Sequence, residues 1–351
     1  MISPVRSSAA STRGRAARRM PETITQVHSS PDVFLIHVPF ENISTSATNC
    51  YVVRDGVHAA VIDTGAPTNS GAAVLSAALD KLGIDRTCAK WFVTHFHLDH
   101  AGLIDRVVPD GAEVFASAAE IDFARASRSG TFLRSLQKTY LEQGIPGHDA
   151  SAAARLGVEP ELFDSERVRL RALHDGDAVH VGRYELRAVA TPGHTPGHMS
   201  LFEPQSGLLF GGDHALFVIS PSIALFPHGA DGLQAYLDSL RKVQDLGISQ
   251  LLHSHGPILD DHEARLTWLG QHHLERLEEA HEVVSGQPGI SGYDAIRALT
   301  WNVPHDNWDD ISLMQRWCIV TEGIVYLKHL VARGVVAADC DPDGILRYRA
   351  L

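Results

Sequence analysis

The stretch Thr94-His-Phe-His-Leu-Asp-His-Ala-Gly102 places His95, His97, Asp99 and His100 within six consecutive positions. Few uses other than metal binding need that density. Neutral imidazole and carboxylate together suit Zn²⁺, and such sets also accept Fe or Mn. Just past the end of a strand, His95 and His97 can point one way while Asp99 and His100 swing to a second point. One short loop could then serve two metals. A His-rich surface loop is the bland alternative, and a bare His-x-His would fit it. The longer pattern behind an apolar strand argues against that reading.

The elements that must position these residues are legible around them. Trp91-Phe92-Val93-Thr94 is apolar and β-prone, which predicts a buried strand running outward to the loop. The same device recurs downstream. Tyr184-Glu-Leu-Arg-Ala-Val189 alternates like a strand with one buried face and leads into Thr191-Pro-Gly-His-Thr-Pro-Gly-His198. Leu208-Leu-Phe210 ends in Gly211-Gly-Asp213, and Gln250-Leu-Leu252 ends in His253-Ser-His255-Gly256. Each is a strand, a tight turn, then a ligand type. Upstream, strands are expected at 33–38, 49–53 and 59–62, the last followed by Asp63-Thr-Gly65. Asp63 is either a carboxylate standing behind the ligands or a turn-former. Leu75, Leu79 and Leu82 give a helix that Gly83 stops.

Composition bounds the partners. The 351 residues carry a net charge of −12, which argues against a general nucleic-acid coat or an anionic membrane surface. The four cysteines, Cys50, Cys88, Cys318 and Cys340, are too scattered for a disulfide framework or a metal knuckle, so a reducing cytoplasm is the simplest location. The longest apolar run, 208–226, is interrupted by Asp213 and His214, so no membrane span is expected. Residues 1–30 hold Arg6, Arg13, Arg15, Arg18 and Arg19 with no apolar periodicity, and read as a disordered tail. They share the acid-poor composition of a transit peptide but lack its apolar face, and Met20 offers an alternative start.

A helical insertion is expected at 117–165. Its basic stretch, with Arg125, Arg128, Arg134 and Lys138, reads as a solvated face or as a holder for an anionic substrate group. Leu233, Tyr236, Leu237, Leu240 and Val243 form an amphipathic helix that Asp231 can cap. Beyond Gly256 the composition changes. Leu266, Leu269, Leu274 and Leu277 mark a long helix, 293–299 a short one and 311–330 another, before a hairpin across Asp341-Pro-Asp-Gly344. The expected division is 31–260 for the catalytic unit and 261–351 for a helical, winged-helix-like appendage. Packing or homodimer formation is its simpler role, because it lacks a dense Arg/Lys face.

With these motifs in order, residues 33 to 256 resemble the metallo-β-lactamase superfamily of metal hydrolases. The resemblance implies an αββα sandwich with the site on one edge. It also implies that His95, His97 and His194 hold one metal, that Asp99, His100 and His255 hold a second, and that Asp213 bridges them. The C-terminal part is similar to the winged-helix-like region of some members, with Leu327, Leu330 and Gly334 at the end of the helix before the wing. True zinc β-lactamases usually lack an Asp at the bridging position, and no Glu replaces the second His as in flavodiiron proteins. The similarity therefore lies with glyoxalase II-like thioesterases, lactonases and a winged-helix subgroup with endoribonuclease members. His198 either orients a neighbouring ligand or fills its loop. His214 and His253 are expected to be structural, and His272-His273 to lie at the surface.

The expected reaction is attack by a metal-bridging hydroxide, its pKa lowered to roughly 7, on an ester or thioester of acyl-CoA or glutathione type. Asp99 and Asp213 are the catalytic carboxylates, with Asp99 orienting the hydroxide. A lactonase or an RNA phosphodiesterase is the alternative, and a complete ligand set argues against a non-catalytic metal scaffold. The partner is a small-molecule substrate, with no membrane, nucleic acid held only in reserve, and two divalent metals as cofactors.

Overall fold

The computed structural model describes residues 24–40, 45–158, 163, 166–226, 230–303 and 307–351. The arginines at the start of the chain and Met20 lie outside them. The expected tail does not reach residue 30, because β1 (Ile24–Ser29) pairs antiparallel with β2 (Asp32–Pro39). Ile24 and Val27 pack inward from it, two apolar contacts too few to announce a strand in the sequence.

Among the described residues the first sheet has seven strands in chain order: β1, β2, β3 (Ala47–Asp55), β4 (His58–Ile62), β5 (Lys90–Phe92), β6 (Glu113–Ser117) and β7 (Arg169–Leu173). The first four pair antiparallel and the rest parallel. Parallel neighbours need crossovers. The first is α1 (Asn69–Lys81), capped by Thr68 and ended at Gly83 with φ +67°. The second holds the short helices α2 (Leu98–Ala101) and α3 (Ile104–Val107), and the third α4 (Ala118–Ser127), α5 (Gly130–Glu142) and α6 (Gly147–Leu156). The expected basic stretch is thus two helices, broken where Ser129 caps α5 by accepting from the Phe132 amide.

The second sheet runs β12-β11-β10-β9-β8, from β8 (Ala178–Val181), β9 (Tyr184–Ala190), β10 (Met199–Glu203), β11 (Leu208–Gly212) and β12 (Gln250–His253). Its one parallel pair, β11 with β12, is joined through α7 (Gly232–Asp245), which Asp231 caps. The inner faces of the two sheets meet over Val33, Tyr51, Ile62, Leu186, Leu201 and Phe210. The outer face of the first sheet buries Leu75 and Leu79 of α1 with Ile104 and Val107 of α3. Helices therefore cover a double sheet on both sides, an αββα sandwich.

The C-terminal region holds α8 (His262–Gly286), β13 (Ile290–Ser291), α9 (Gly292–Ala298), α10 (Leu313–Ala332), β14 (Val336–Cys340) and β15 (Leu346–Ala350). The hairpin is there, and β13 adds a third strand beside β15. This helical, winged-helix-like region shares one core with the outer face of the second sheet, where Leu209 and Leu251 join Leu240, Leu269 and Ile324. The buried stripe of α8 is Leu266, Leu269, His273, Leu277, Ala280 and Val284. Two expectations fail here by one position. His273 is fully buried where a surface residue was expected, and Leu274 is half exposed. Both follow from the stripe stepping 269, 273, 277 rather than through 274. Among the described residues no helix is long and apolar enough to cross a membrane.

Candidate metal centre

The strand ends that carry histidine or aspartate gather at one edge of the sandwich. β5 ends at Phe92, two residues earlier than expected, but the Val93 amide still donates to Phe115 O at 2.9 Å, so the chain stays extended to Thr94. His95, His97, Asp99 and His100 follow at once. His194 comes from the turn between β9 and β10, Asp213 from the end of β11 and His255 from just past β12. Gly212, at φ +53°, sits at an irregularity in the β11 pairing and turns Asp213 into the edge. A Cβ there would come within 2.6 Å of His198 Nε2, so only glycine allows the close approach.

Three overlapping groups of ligand atoms result: His95, His97 and His194; His95, His100 and Asp213; Asp99, His100 and His255. Within the first, His97 Nδ1 lies 2.9 Å from His95 Nε2 and 3.0 Å from His194 Nε2. Asp213 spans the groups, with Oδ2 at 3.5 Å from His194 Nε2 and Oδ1 at 3.5 Å from His100 Nε2 and 3.3 Å from His255 Nε2. Asp99 Oδ2 lies 3.4 Å from His255 Nε2. Those seven residues are the ones the sequence singled out, and the fold brings them together.

The far ring nitrogens decide which atoms face inward. His194 Nδ1 meets Ser222 O at 2.8 Å and His255 Nδ1 meets Ala47 O at 2.9 Å. A carbonyl only accepts, so both Nδ1 atoms carry the hydrogen and both Nε2 lone pairs point into the cluster. His100 Nδ1 meets Asp63 Oδ2 at 2.8 Å with the same consequence. His95 Nδ1 lies 3.0 Å from Thr94 Oγ1, whose hydrogen goes to Asp63 Oδ2 at 2.9 Å. Asp63 also accepts from the Thr94 amide at 2.8 Å. It holds φ +59°, a left-handed conformation that aspartate tolerates better than most residues. Of its two expected readings, the carboxylate behind the ligands is the one the geometry supports.

Buried nitrogens and carboxylate oxygens that converge with too few hydrogens to pair them are costly unless a cation fills the space. His100 Nε2 and Asp213 Oδ1 are buried and have no hydrogen-bond partner. Five inward nitrogens and two carboxylates could hold divalent ions, and the distal nitrogens of His95, His100, His194 and His255 are braced as metal-bound imidazole requires. The electrostatics divide the imidazoles into two kinds. Burial, then the neighbouring imidazoles, hold His95 and His97 well below the ordinary range. Burial acts the same way on His100 and His255, but Asp213 and the other carboxylates outweigh it and raise both. Asp213 is pushed up by burial and down further by His255 and His100, ending well below the usual carboxylate range.

The surroundings hold residues that the sequence did not flag. Glu120, buried on α4, accepts from the Phe96 amide at 2.9 Å through one oxygen, and from Thr195 Oγ1 at 2.7 Å and the Gly197 amide at 3.1 Å through the other. It clamps the His95–His97 loop to the His194 turn. Its local signal misleads, since Ser117-x-x-Glu120 reads as a capping box, and Ser117 does cap α4. The carboxylate goes elsewhere. His198 Nε2 accepts from the Asp213 amide at 3.1 Å, so this ring holds the Asp213 backbone. His214 and His253 are buried outside the cluster, against Tyr236 and Phe217, and burial holds them at about 3 and about 4. Their ring nitrogens are also buried without partners, but among the described residues neither joins a group of ligand atoms.

The basic residues at 125–138 do not converge on the cluster through the contacts they make on their own helices. Arg125 lies 3.8 Å from Asp122, Lys138 3.5 Å from Glu142, and Arg134 donates to Thr131.

Comparison with known proteins places this geometry. The model of the metallo-beta-lactamase superfamily matches residues 44–255. A probable metallo-hydrolase of Bacillus subtilis is 26% identical over 74% of this chain and 82% of its own length. An atrochrysone carboxyl ACP thioesterase of Aspergillus aculeatus is 25% identical over 69% of this chain and 62% of its own. The crystal structure of a beta-lactamase domain protein from Burkholderia ambifaria superposes with TM-score 0.74 over 95% of this chain and 98% of that one, at 22% identity. That likeness extends the shared fold into the C-terminal region.

Proposed function

We propose, from the premise that this chain belongs to the metallo-β-lactamase superfamily of hydrolases, that it is a dinuclear-metal hydrolase of small esters or thioesters. One observation carries the reading: ring nitrogens of five histidines gather with Asp99 and Asp213 in three overlapping groups, with His100 Nε2 and Asp213 Oδ1 buried and unpartnered. His95, His97 and His194 would hold one ion, Asp99, His100 and His255 the other, and Asp213 both. When bound, two divalent metals, zinc by default, supply a hydroxide nucleophile near neutral pH and polarise a carbonyl oxygen.

The remaining work falls to the chain. Asp99 is partly open to solvent, with Oδ2 toward His255, and it accepts a hydrogen bond from the attacking water. It orients that water toward the carbonyl carbon and holds the proton until the departing thiolate or alkoxide takes it. Asp63, Thr94, Ser222 and Ala47 keep the imidazoles in one tautomer. Glu120 and His198 keep the two loops in register. Catalysis is assigned to 31–260, with 261–351 packed behind it. A thioesterase among the relatives supports the acyl reading, while Arg125 and Lys138 pair with Asp122 and Glu142 on their own helices. Their own role reduces to long-range attraction of an anionic leaving group, shared with Arg128 and Arg134.

Thiol release from acyl-CoA and acyl-glutathione thioesters tests this directly, with zinc-reconstituted protein and a chelated control. Metal-dependent release is expected. Equal turnover in the chelated protein would overturn the metal mechanism, and no release across the panel would overturn the thioester assignment.

A further inference from the structure

The segment from His214 to Ser222 is strung between two candidate ligands. It leaves Asp213 at one end, and at the other the Ser222 carbonyl receives His194 Nδ1 at 2.8 Å. In between, His-Ala-Leu-Phe-Val-Ile-Ser-Pro-Ser contains no Lys, Arg, Asp or Glu. The segment is pinned from behind. Arg265 of α8 donates from Nε to Leu216 O at 2.6 Å and from a terminal nitrogen to Ile219 O at 2.8 Å, and the Phe217 ring lies against His253.

With its backbone held, the segment still leaves Val218 50% and Ile219 43% exposed. Val218 leans over the turn just past His255, where a Cβ on Gly256 would lie 2.8 Å from its Cγ1. Leu98, between His97 and Asp99, is a third exposed aliphatic beside the cluster. The same Arg265 guanidinium lies 4.3 Å from the ring centre of the half-exposed Trp268. Arg265 spends donors on carbonyls and stacks on an indole, so its charge is turned away from service as a phosphate grip. Exposed apolar side chains gathered at a polar catalytic edge mark a binding surface for an apolar group.

We infer that Leu98, Val218 and Ile219 form an apolar acyl subsite at the mouth of the metal cluster, with Trp268 at its outer end. This rests on the hydrolase reading above and names the substrate's acyl part as an unbranched or lightly branched hydrocarbon chain. The carbonyl sits at the metals and the chain runs outward over the 214–222 segment.

The test uses binding rather than turnover. Titrate metal-saturated protein calorimetrically with acetate, butyrate, hexanoate, octanoate and decanoate. Affinity should rise about twofold per added methylene, below the full value for complete burial because the surface is half open. In the double variant Val218→Ser/Ile219→Ser the dependence on chain length should flatten with metal content unchanged. Val57→Ser, 87% exposed at the far end of β4 from Asp63, serves as the surface control and should keep the wild-type slope. If the double variant loses metal, Trp268→Ala replaces it and should reduce the gain for the longest chains alone. No slope in the wild type, or an unaltered slope in the variants, overturns the subsite. A normal slope with no thioester turnover overturns the thioesterase reading and leaves the subsite standing.

Discussion

The molecule buries histidine in two polar clusters of opposite construction. Around Asp213, nitrogens outnumber hydrogens: His95 Nε2 and His194 Nε2 both lie within 3.0 Å of His97 Nδ1, which carries at most one hydrogen, and His100 Nε2 and Asp213 Oδ1 have no partner. In the seam between α8 and α10, donors and acceptors alternate along a chain, with His273 Nε2 left buried without a partner. The Tyr326 hydroxyl donates to Glu322 Oε1 at 2.7 Å and meets His273 Nδ1 at 2.9 Å. Burial leads in the second cluster: with His272 and Arg276 adding to it, it holds His273 at about 3, and against the Tyr326 hydroxyl and Arg276 it still raises Glu322. In the first, carboxylates reverse the effect of burial on His100 and His255. A buried histidine is thus a ligand candidate when its inward lone pair meets others and its far nitrogen is braced. It is a core residue when its polar contacts run in a chain.

That contrast breaks most readily at Asp213. Asp213→Ala and His194→Ala should each lower metal content and cut turnover more than about a hundredfold, beyond what outer partners cost. The chain should stay folded, because the cluster contributes converging acceptors rather than packing. Metal analysis beside circular dichroism decides, and full metal content in Asp213→Ala would sink the shared-ligand assignment. Asp63→Asn should weaken metal binding about ten- to a hundredfold, since the carboxylate behind His100 loses its charge while asparagine keeps the left-handed backbone. Glu120→Gln should do less, about tenfold. Its amide nitrogen turns one acceptor into a donor facing Thr195 or Phe96, so the loss should fall on the ion held by His95, His97 and His194. Metal titrations in which Glu120→Gln holds that ion as tightly as wild type would remove its role as a brace.

How much of this was legible before the fold depended on distance along the chain. His95, His97, Asp99, His100, His194, Asp213 and His255 could be read because each follows a strand and a tight turn, a signal carried within a few residues. Asp63 was half legible, since aspartate before a turn has two readings and only the 2.8 Å contact to His100 Nδ1 separates them. Glu120 was hidden by its own neighbourhood: a capping pattern accounts for it locally, while Phe96, Thr195 and Gly197 are brought to it by the fold. Arg265 was hidden differently, because its targets are backbone carbonyls, which every residue carries. On α8 the stripe was placed correctly except where His273 and Leu274 compete for one turn. A leucine was the natural choice there, and the polar chain through Tyr326 and Glu322 is what lets histidine take the buried place.

The seam also makes the comparison measurable by acid. His273 is held at about 3 in the fold and returns to an ordinary value near 6.5 on unfolding. Between those values the unfolded chain binds the proton and the folded chain does not, so stability falls as pH drops through that window. Each such group contributes a slope of about 1.4 kcal/mol per pH unit. His273→Gln keeps a polar side chain but cannot titrate. Its unfolding free energy, followed by denaturant in chelator from pH about 6 to about 4, should show a slope smaller than wild type by that amount, with a loss of about 1–3 kcal/mol at neutral pH. Its metal content should be unchanged. Loss of metal in this variant would mean that the seam and the centre are one cluster rather than two, and an unchanged slope would mean that His273 is not held low in the fold.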